Sequence, residues 1–317
     1  KEFGTIYNYN CIEADLVDNF NDVVIGIEVL KRKVDGIWHL AADLSFKDKD
    51  KESVRKTNIE STTNIISLSK SLQSPLFYVS TAYVHGCDGG TIREDFGARP
   101  RHFNNGYEES KFDAELLIKN ASGIQYIVFR PSILIDREVK KISNFGYYSF
   151  LISLVKLRKS LNLNSDKSLH LPIPLLYYSK STLNLMPIDT AVEWFYMISR
   201  DSRSFGKIFH ICNPVPPKVG EIFKQTLSAF MIRLPLIEAP KFFVFCYLSS
   251  ASPLSIFFSP MQSMARKLKY FRGYLLGNNR YDMTNTSMII NKNLMEYFDL
   301  SENYIYEIAV IFRSKVN

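Results

Sequence analysis

Over the first 140 residues of this 317-residue chain, short apolar runs alternate with longer stretches whose apolar positions recur every three or four residues. That is the pattern of successive βα units feeding a parallel sheet. Residues 35–42 (Asp-Gly-Ile-Trp-His-Leu-Ala-Ala) read as a buried strand and its exit. Residues 53–72 carry Ile59, Ile65, Ile66 and Leu68 against a polar face, with Pro75 as a stop, which predicts a helix. A second strand is predicted over 76–81, and a second helix over 107–120, after a loop (86–97) rich in Gly and Asp. A third strand, 124–131, ends at Pro131, which cannot donate to a ladder. Beyond about residue 140 the rhythm loosens into helices, prolines and one short strand candidate, Lys207–Ile211, with no fixed-period repeat. The run 242–258 holds 17 residues without a charge, but Ser249, Ser250, Ser252 and Pro253 interrupt it. A membrane span wants about 20 apolar residues, so the run predicts two short buried or lipid-facing helices and, at most, peripheral membrane contact.

Charge adds an asymmetry to this picture. Residues 1–150 carry 19 basic and 21 acidic side chains (net −2), and residues 151–317 carry 20 and 11 (net +9). A basic second half attracts anionic partners: nucleic acid, anionic lipid, or an acidic substrate carrier such as coenzyme A or an acyl carrier protein. Nucleic acid is disfavoured, because no compact Lys/Arg cluster with interleaved aromatics occurs. Cys11, Cys87, Cys212 and Cys246 lie far apart without C-x-x-C spacing, and the five histidines show no ligand spacing. Neither a disulfide framework nor a metal site is expected. The chain opens on Lys1 without an apolar leader, so a cytoplasmic location is expected, with the membrane surface as an option.

Chemistry is suggested by Tyr107-Glu108-Glu109-Ser110-Lys111, which places a phenol and an ammonium four residues apart on one helix face. A nearby Lys⁺ favours tyrosinate and lowers the phenol pKa from about 10, which makes Tyr107 a usable general acid or base. On a solvated helix face the same spacing carries no function. Ser80 and Thr81 end a predicted strand, where loops at the carboxyl edge of a parallel sheet form the binding crevice. A hydroxyl there either holds a carbonyl oxygen beside the phenol or caps a turn.

Taken in order, several segments resemble the extended short-chain dehydrogenase/reductase superfamily. They are His39-Leu40-Ala41-Ala42, Asn58, Tyr78-Val79-Ser80-Thr81-Ala82-Tyr83-Val84-His85-Gly86, Asn105-Gly106-Tyr107-x-x-Ser110-Lys111 and Arg130-Pro131-Ser132-Ile133. The Ser-Thr-Ala-Tyr-Val wording, the Tyr-Glu-x-Ser-Lys helix and Phe209-His210-Ile211-Cys212-Asn213-Pro214 look most like the branch of fatty acyl-CoA reductases and thioester reductase domains, the male-sterility-type NAD-binding group. The resemblance implies an α/β, Rossmann-like doubly wound parallel sheet with a smaller, mostly helical C-terminal substrate lobe. It divides the chain at 1–140 and 141–317, with residues 186–189 and 207–214 returning to the Rossmann core and Asp189 docking one lobe on the other.

The resemblance also implies roles. Thr81 would orient the carbonyl, with Ser80 the lesser choice, Tyr107 would donate the proton and Lys111 would tune it. Asp15, Leu16, Ala41, Ala42, Asn58, Val79, Arg130, Pro131 and Ser132 would join Tyr107 and Lys111 in holding the cofactor, with NADP(H) favoured over NAD(H) on the habit of the branch. Two departures stand out. The superfamily's first strands and its Gly-x-x-Gly-x-x-Gly turn are absent, and Ser61 replaces the usual Gly after Asn58. The chain is then either a fragment of a longer protein, which the Lys start favours, or one that has lost its dinucleotide grip. The implied activity is NAD(P)H-dependent reduction of an acyl thioester on coenzyme A or an acyl carrier protein to aldehyde or alcohol. The same residues also serve nucleotide-sugar epimerases and dehydratases and hydroxysteroid-type dehydrogenases; a truncated remnant acting as a binding module is the third reading.

Overall fold

A computed structural model describes residues 13–18, 20, 34–140, 145–163, 167–249, 268–291 and 303–316. The first part runs β1 (Ile37–His39), α1 (Lys51–Leu72), β2 (Leu76–Val79), a 3-10 turn (Ala82–His85), β3 (Thr91–Ile92), α2 (Gly106–Asn120), β4 (Tyr126–Pro131) and β5 (Ile133–Ile135). It continues through α3 (Gly146–Ser160), β6 (Leu169–His170), β7 (Leu175–Tyr177), β8 (Leu185–Pro187), α4 (Ile188–Ser199) and β9 (Lys207–Ile211). Then follow α5 (Val219–Ala229), β10 (Ile232–Arg233), β11 (Leu236–Glu238), α6 (Lys241–Ser249), α7 (Arg272–Leu275), β12 (Arg280–Tyr281), α8 (Thr284–Ile289) and α9 (Tyr304–Val316).

Strands β1, β2, β4 and β9 form one parallel sheet in the order β1-β2-β4-β9. Side chains alternate across a strand, and here the alternation sorts them onto two helical layers. Leu76, Tyr78, Val128 and Ile208 face Ile65, Ile66 and Leu68 of α1 and Ala114 and Ile118 of α2. Phe77, Ile127, Phe129, Phe209 and Ile211 face Ala191, Trp194, Phe195 and Ile198 of α4. The central strand β4 is covered on both sides, which is why its residues 126–129 read as an apolar run before Arg130. The sheet is therefore doubly wound, in agreement with the expected α/β class.

Local chemistry sets the helix ends. The Asn105 side chain caps α2 by accepting from the Glu108 N–H (3.0 Å). Gly106 lies against the start of α1, where a Cβ would meet Lys51 Cγ at 2.7 Å, so only glycine permits this approach.

A second core gathers α3, α5 and α9 with the short parallel pairs β6/β10 and β7/β11. The pairs β5/β8 and β3/β12 link distant parts of the chain. The single strand candidate expected beyond residue 140 was therefore too few. Ladders of two or three residues are too short to show a period, and their partners lie far away in sequence. Within the run 242–258, residues up to Ser249 form α6, with Phe242 and Phe243 exposed; residues 250–258 lie outside the described residues. Among the described residues no helix is long and apolar enough to cross a membrane.

Candidate active site

A cleft of about 690 Å³ opens at the carboxyl edge of β2 and β4, lined by both Thr81 and Tyr107 as well as Ser132. Thr81 follows β2 in an extended conformation, and its hydroxyl accepts from the Tyr83 N–H (3.3 Å), so it caps the 3-10 turn while facing the cleft. Ser80 lies one residue earlier, 3% exposed, with its N–H donating to the Phe129 carbonyl (2.7 Å) and its hydroxyl without a partner. Tyr107 stands in the first turn of α2, half-buried, its ring 5.8 Å from that of Phe46.

One turn further on, Lys111 is 2% exposed beneath the cleft. Its Nζ donates to the Val79 carbonyl (2.8 Å) and sits 4.5 Å over the Tyr78 ring. Burial holds the amine down, to about 7, against the pull of Glu115. The Tyr107 phenol moves the other way: burial, and secondarily the charge of Glu108, push it above its ordinary value. The expected acidic phenol is thus not what these residues produce. Desolvation outweighs the attraction of Glu115 at Lys111 and, together with the Glu108 charge, keeps the Tyr107 phenol protonated, which is the form a proton donor needs.

Asn58 braces this wall. Its Nδ2 donates to Ser110 Oγ (2.8 Å) and to the Asp43 carbonyl (3.1 Å), and its Oδ1 accepts from the Asp43 N–H (2.8 Å). Ser110 Oγ in turn donates to the Tyr107 carbonyl (2.8 Å). Both amide donors of Asn58 are taken by protein, so it positions α2 against the loop after β1. Arg130 departs from expectation. It is 3% exposed, with Nε and Nη2 on the two Glu115 carboxylate oxygens (3.0 and 2.6 Å), Nη1 on the Arg93 carbonyl (3.1 Å) and Nη2 also on the Asp95 carbonyl (3.0 Å). Its guanidinium points away from the cleft into a buried ion pair, because alternation along β4 sends residue 130 and residue 131 to opposite faces.

Of the other expected cofactor residues, Pro131 ends β4 beside Ile211, and Val79 contributes the carbonyl that holds Lys111. Ala41 is exposed and Ala42 half-buried in the loop leaving β1. Asp15 is exposed and closes a local turn, its Oδ1 accepting from the N–H groups of Val17 (2.7 Å) and Asp18 (3.2 Å). Leu16 packs on the α1 layer, and its carbonyl accepts from Asn64 (2.8 Å). None of these four lines the cleft.

Three contributors escaped the sequence reading. Tyr83 and Tyr274 line the cleft with rings 4.7 Å apart, edge to face. Glu108 is fully buried and accepts from the Tyr274 hydroxyl (2.5 Å) and from the Asn104 N–H (2.9 Å), tying α7 to α2. Burial raises its carboxyl to about 7. Tyr83 and Glu108 stood inside the quoted motifs. Tyr274 arrives from more than 160 residues away, and nothing around it in sequence marks it.

A doubly wound parallel sheet with a Tyr/Lys helix and a strand-end hydroxyl at its carboxyl edge defines the NAD(P)-dependent oxidoreductases of the extended short-chain dehydrogenase/reductase type. The profile of the family described as Male sterility protein, an NAD-binding domain, matches residues 26–195, more than half of the chain. The chain belongs to that family. Curated relatives include the hybrid PKS-NRPS synthetase poxE of Penicillium oxalicum, 33% identical over 112 residues (33% of this chain, 3% of the synthetase). The hybrid PKS-NRPS synthetase pydA of Acremonium sp is 34% identical over 131 residues (38% of this chain, 3% of the synthetase). The chain thus spans about 3% of the length of these relatives. Among solved structures, the terminal R domain from the myxalamid PKS-NRPS biosynthetic pathway superposes with a TM-score of 0.70 at 20% identity, covering 96% of this chain and 75% of that one. RMD from Pseudomonas aeruginosa complexed with NADPH gives 0.61 at 14% identity, covering 96% and 88%.

Proposed function

We propose that the protein reduces an acyl thioester, carried on coenzyme A or an acyl carrier protein, to the aldehyde or alcohol with NADPH as the preferred reductant. The observation that carries this reading is the joint presence of the Thr81 and Tyr107 hydroxyls in one cleft whose remaining walls are largely apolar, among them Leu134, Ile135, Phe145 and Ile188. Such walls suit an acyl group and give a sugar nucleotide little to hold. Relatives named as PKS-NRPS synthetases support the same reading. In this proposal residues 1–140 hold the dinucleotide and 141–317 the substrate, with 186–189 and 207–214 rejoining the first part. The protein works in the cytoplasm, at a membrane surface only if the exposed Phe242 and Phe243 are used there.

The residues at the sheet edge suit the nicotinamide end of the cofactor. A buried Ser80 hydroxyl lacks a partner, and one Lys111 donor is placed on Val79 while an ammonium has three. The described residues offer no Gly-rich turn for the pyrophosphate. A bound nicotinamide supplies hydride to the thioester carbonyl. Thr81 and Tyr107 donate to the carbonyl oxygen as it gains charge. The Tyr107 O–H proton then passes to that oxygen, and Lys111 beneath it limits the charge left on the phenol. The resulting hemithioacetal collapses to aldehyde and free thiol.

Tyr107→Phe in the full-length protein should lower thioester-dependent NADPH oxidation by roughly 10²-fold or more, the scale for losing a positioned acid. Near-normal turnover would remove Tyr107 from the chemistry.

A further inference from the structure

A smaller cavity, of about 40 Å³, adjoins the catalytic cleft inside the second core. The two share Ile133, Gly146, Phe271 and Tyr274 in their linings. Gly146 opens α3 at φ +54°, a backbone conformation natural to glycine. A Cβ there would meet Ile133 Cγ2 at 3.3 Å, so a side chain at 146 would crowd the boundary between the two spaces. Away from that boundary the walls come from α3, α5 and Leu183. Phe150 and Phe223 pack against each other there, ring centroids 5.8 Å apart. Apart from Gly146, the lining side chains are aliphatic or aromatic, and the only polar atoms on them are two tyrosine hydroxyls. Both are engaged elsewhere: Tyr147 with Thr226 (2.7 Å), and Tyr274 with Glu108 (2.5 Å) and Asn105 (2.9 Å). An apolar cavity of this kind stays dry and accepts apolar guests. Left empty, it forfeits contacts around its lining; a polar guest would lose its hydrogen bonds.

We infer that this side pocket receives the end of an aliphatic acyl chain whose thioester lies at Thr81 and Tyr107, entering past Gly146, and that the wall at Phe150 and Phe223 limits the chain length. The inference rests on the thioester reading above and adds the shape of the acyl group. Since about 10–15 Å³ of such space holds one water, the pocket admits roughly two or three carbon atoms. Length is then read at the far end of the chain, apart from the hydroxyls that act on the carbonyl.

The test measures binding and turnover separately. Straight-chain primary alcohols of increasing length are titrated calorimetrically into the full-length protein. Affinity should rise about fourfold per methylene, the effect of burying one CH₂, up to one length and then stop rising. Leu183→Phe, which fills the pocket, should lower that limit by roughly two carbons, and Phe223→Leu, which deepens it, should raise the limit by about one. A purely structural change would weaken all lengths alike. Should Leu183→Phe fail to fold, the unaltered protein and Phe223→Leu still decide. Affinity without a length limit, or a limit that stays put in the folded variants, overturns the inference. Turnover is read as kcat/KM for saturated acyl N-acetylcysteamine thioesters, which should peak at one length and shift in the same directions. Reduction of all lengths at similar kcat/KM removes the pocket from substrate selection and leaves the thioester reading standing. A movable limit for the alcohols with no thioester reduced at any length would overturn the thioester reading, and the acyl assignment with it.

Discussion

The two walls of the catalytic cleft are built in opposite ways. One comes from a 31-residue stretch, Thr81 to Lys111, and is held by polar contacts: Asn58 to Ser110, Ser110 to Tyr107 and Lys111 to Val79. The other is assembled from residues 133–136, 145–148 and 271–274, which meet through apolar packing around Phe271 and Tyr274. Chemistry needs fixed distances, and hydrogen-bonded braces supply them. A substrate wall needs shape and dryness, which side chains from remote parts of the chain supply equally well. The two are stitched at one buried seam, where Glu108 of the first wall accepts from Tyr274 of the second.

The largest expected effect falls on the polar wall. Glu115 is 1% exposed and pairs bidentately with Arg130 under α2. Glu115→Ala leaves that guanidinium buried and alone, so urea unfolding should show a loss of about 3–5 kcal/mol. A loss under about 1 kcal/mol would mean the brace is not structural.

Next in size is a pH effect at the seam. The Glu108 carboxyl, raised from 4.5 to about 7, keeps its proton in the folded state through a window where the unfolded chain has lost it. Stability from this group is therefore complete below about pH 4.5 and is lost as pH rises to about 7. Lys111, lowered from 10.5 to about 7, acts above that window: only the unfolded chain binds its proton there, so stability rises with pH from about 7 to 10.5. Glu108→Gln should flatten the acid limb and leave the alkaline one, as read from unfolding midpoints across pH. An unchanged acid limb would refute the seam's titration.

Smaller again is Tyr274→Phe, which preserves the shape of the apolar wall but leaves Glu108 and Asn105 each one partner short. Chemical unfolding should register about 1–3 kcal/mol, while the melting of Tyr107→Phe, whose phenol faces the cleft, should barely move. Equal losses in the two variants would erase the distinction between seam and site.

This division also governs what could be read in the sequence. The sheet and its two flanking helices were legible because β2, α1, α2 and β4 each carry a full period of apolar positions, and because Tyr107, Lys111 and Thr81 sit at spacings that a helix turn and a strand end convert directly into proximity. The side-chain partners of Arg130 and Asn58 were not legible for one physical reason: their place in a motif says where the backbone goes, but only the surrounding carboxylate and carbonyl groups decide which way a polar side chain is satisfied. The sign of the Tyr107 shift was missed because burial depth has no local signature. Tyr274 was invisible, since an aromatic in a four-residue helix too short to show a period does not announce a partner some 166 residues away.

The central claim, that the hydroxyls at 81 and 107 act on one carbonyl oxygen, is tested most directly by a double-mutant cycle in kcat/KM for thioester reduction with Thr81→Val and Tyr107→Phe. Groups that share a reacting atom should couple by about 0.5–3 kcal/mol, the double variant losing less than the sum of the single losses. Strict additivity, within about 0.3 kcal/mol, would show that the two hydroxyls serve different atoms and would contradict the account.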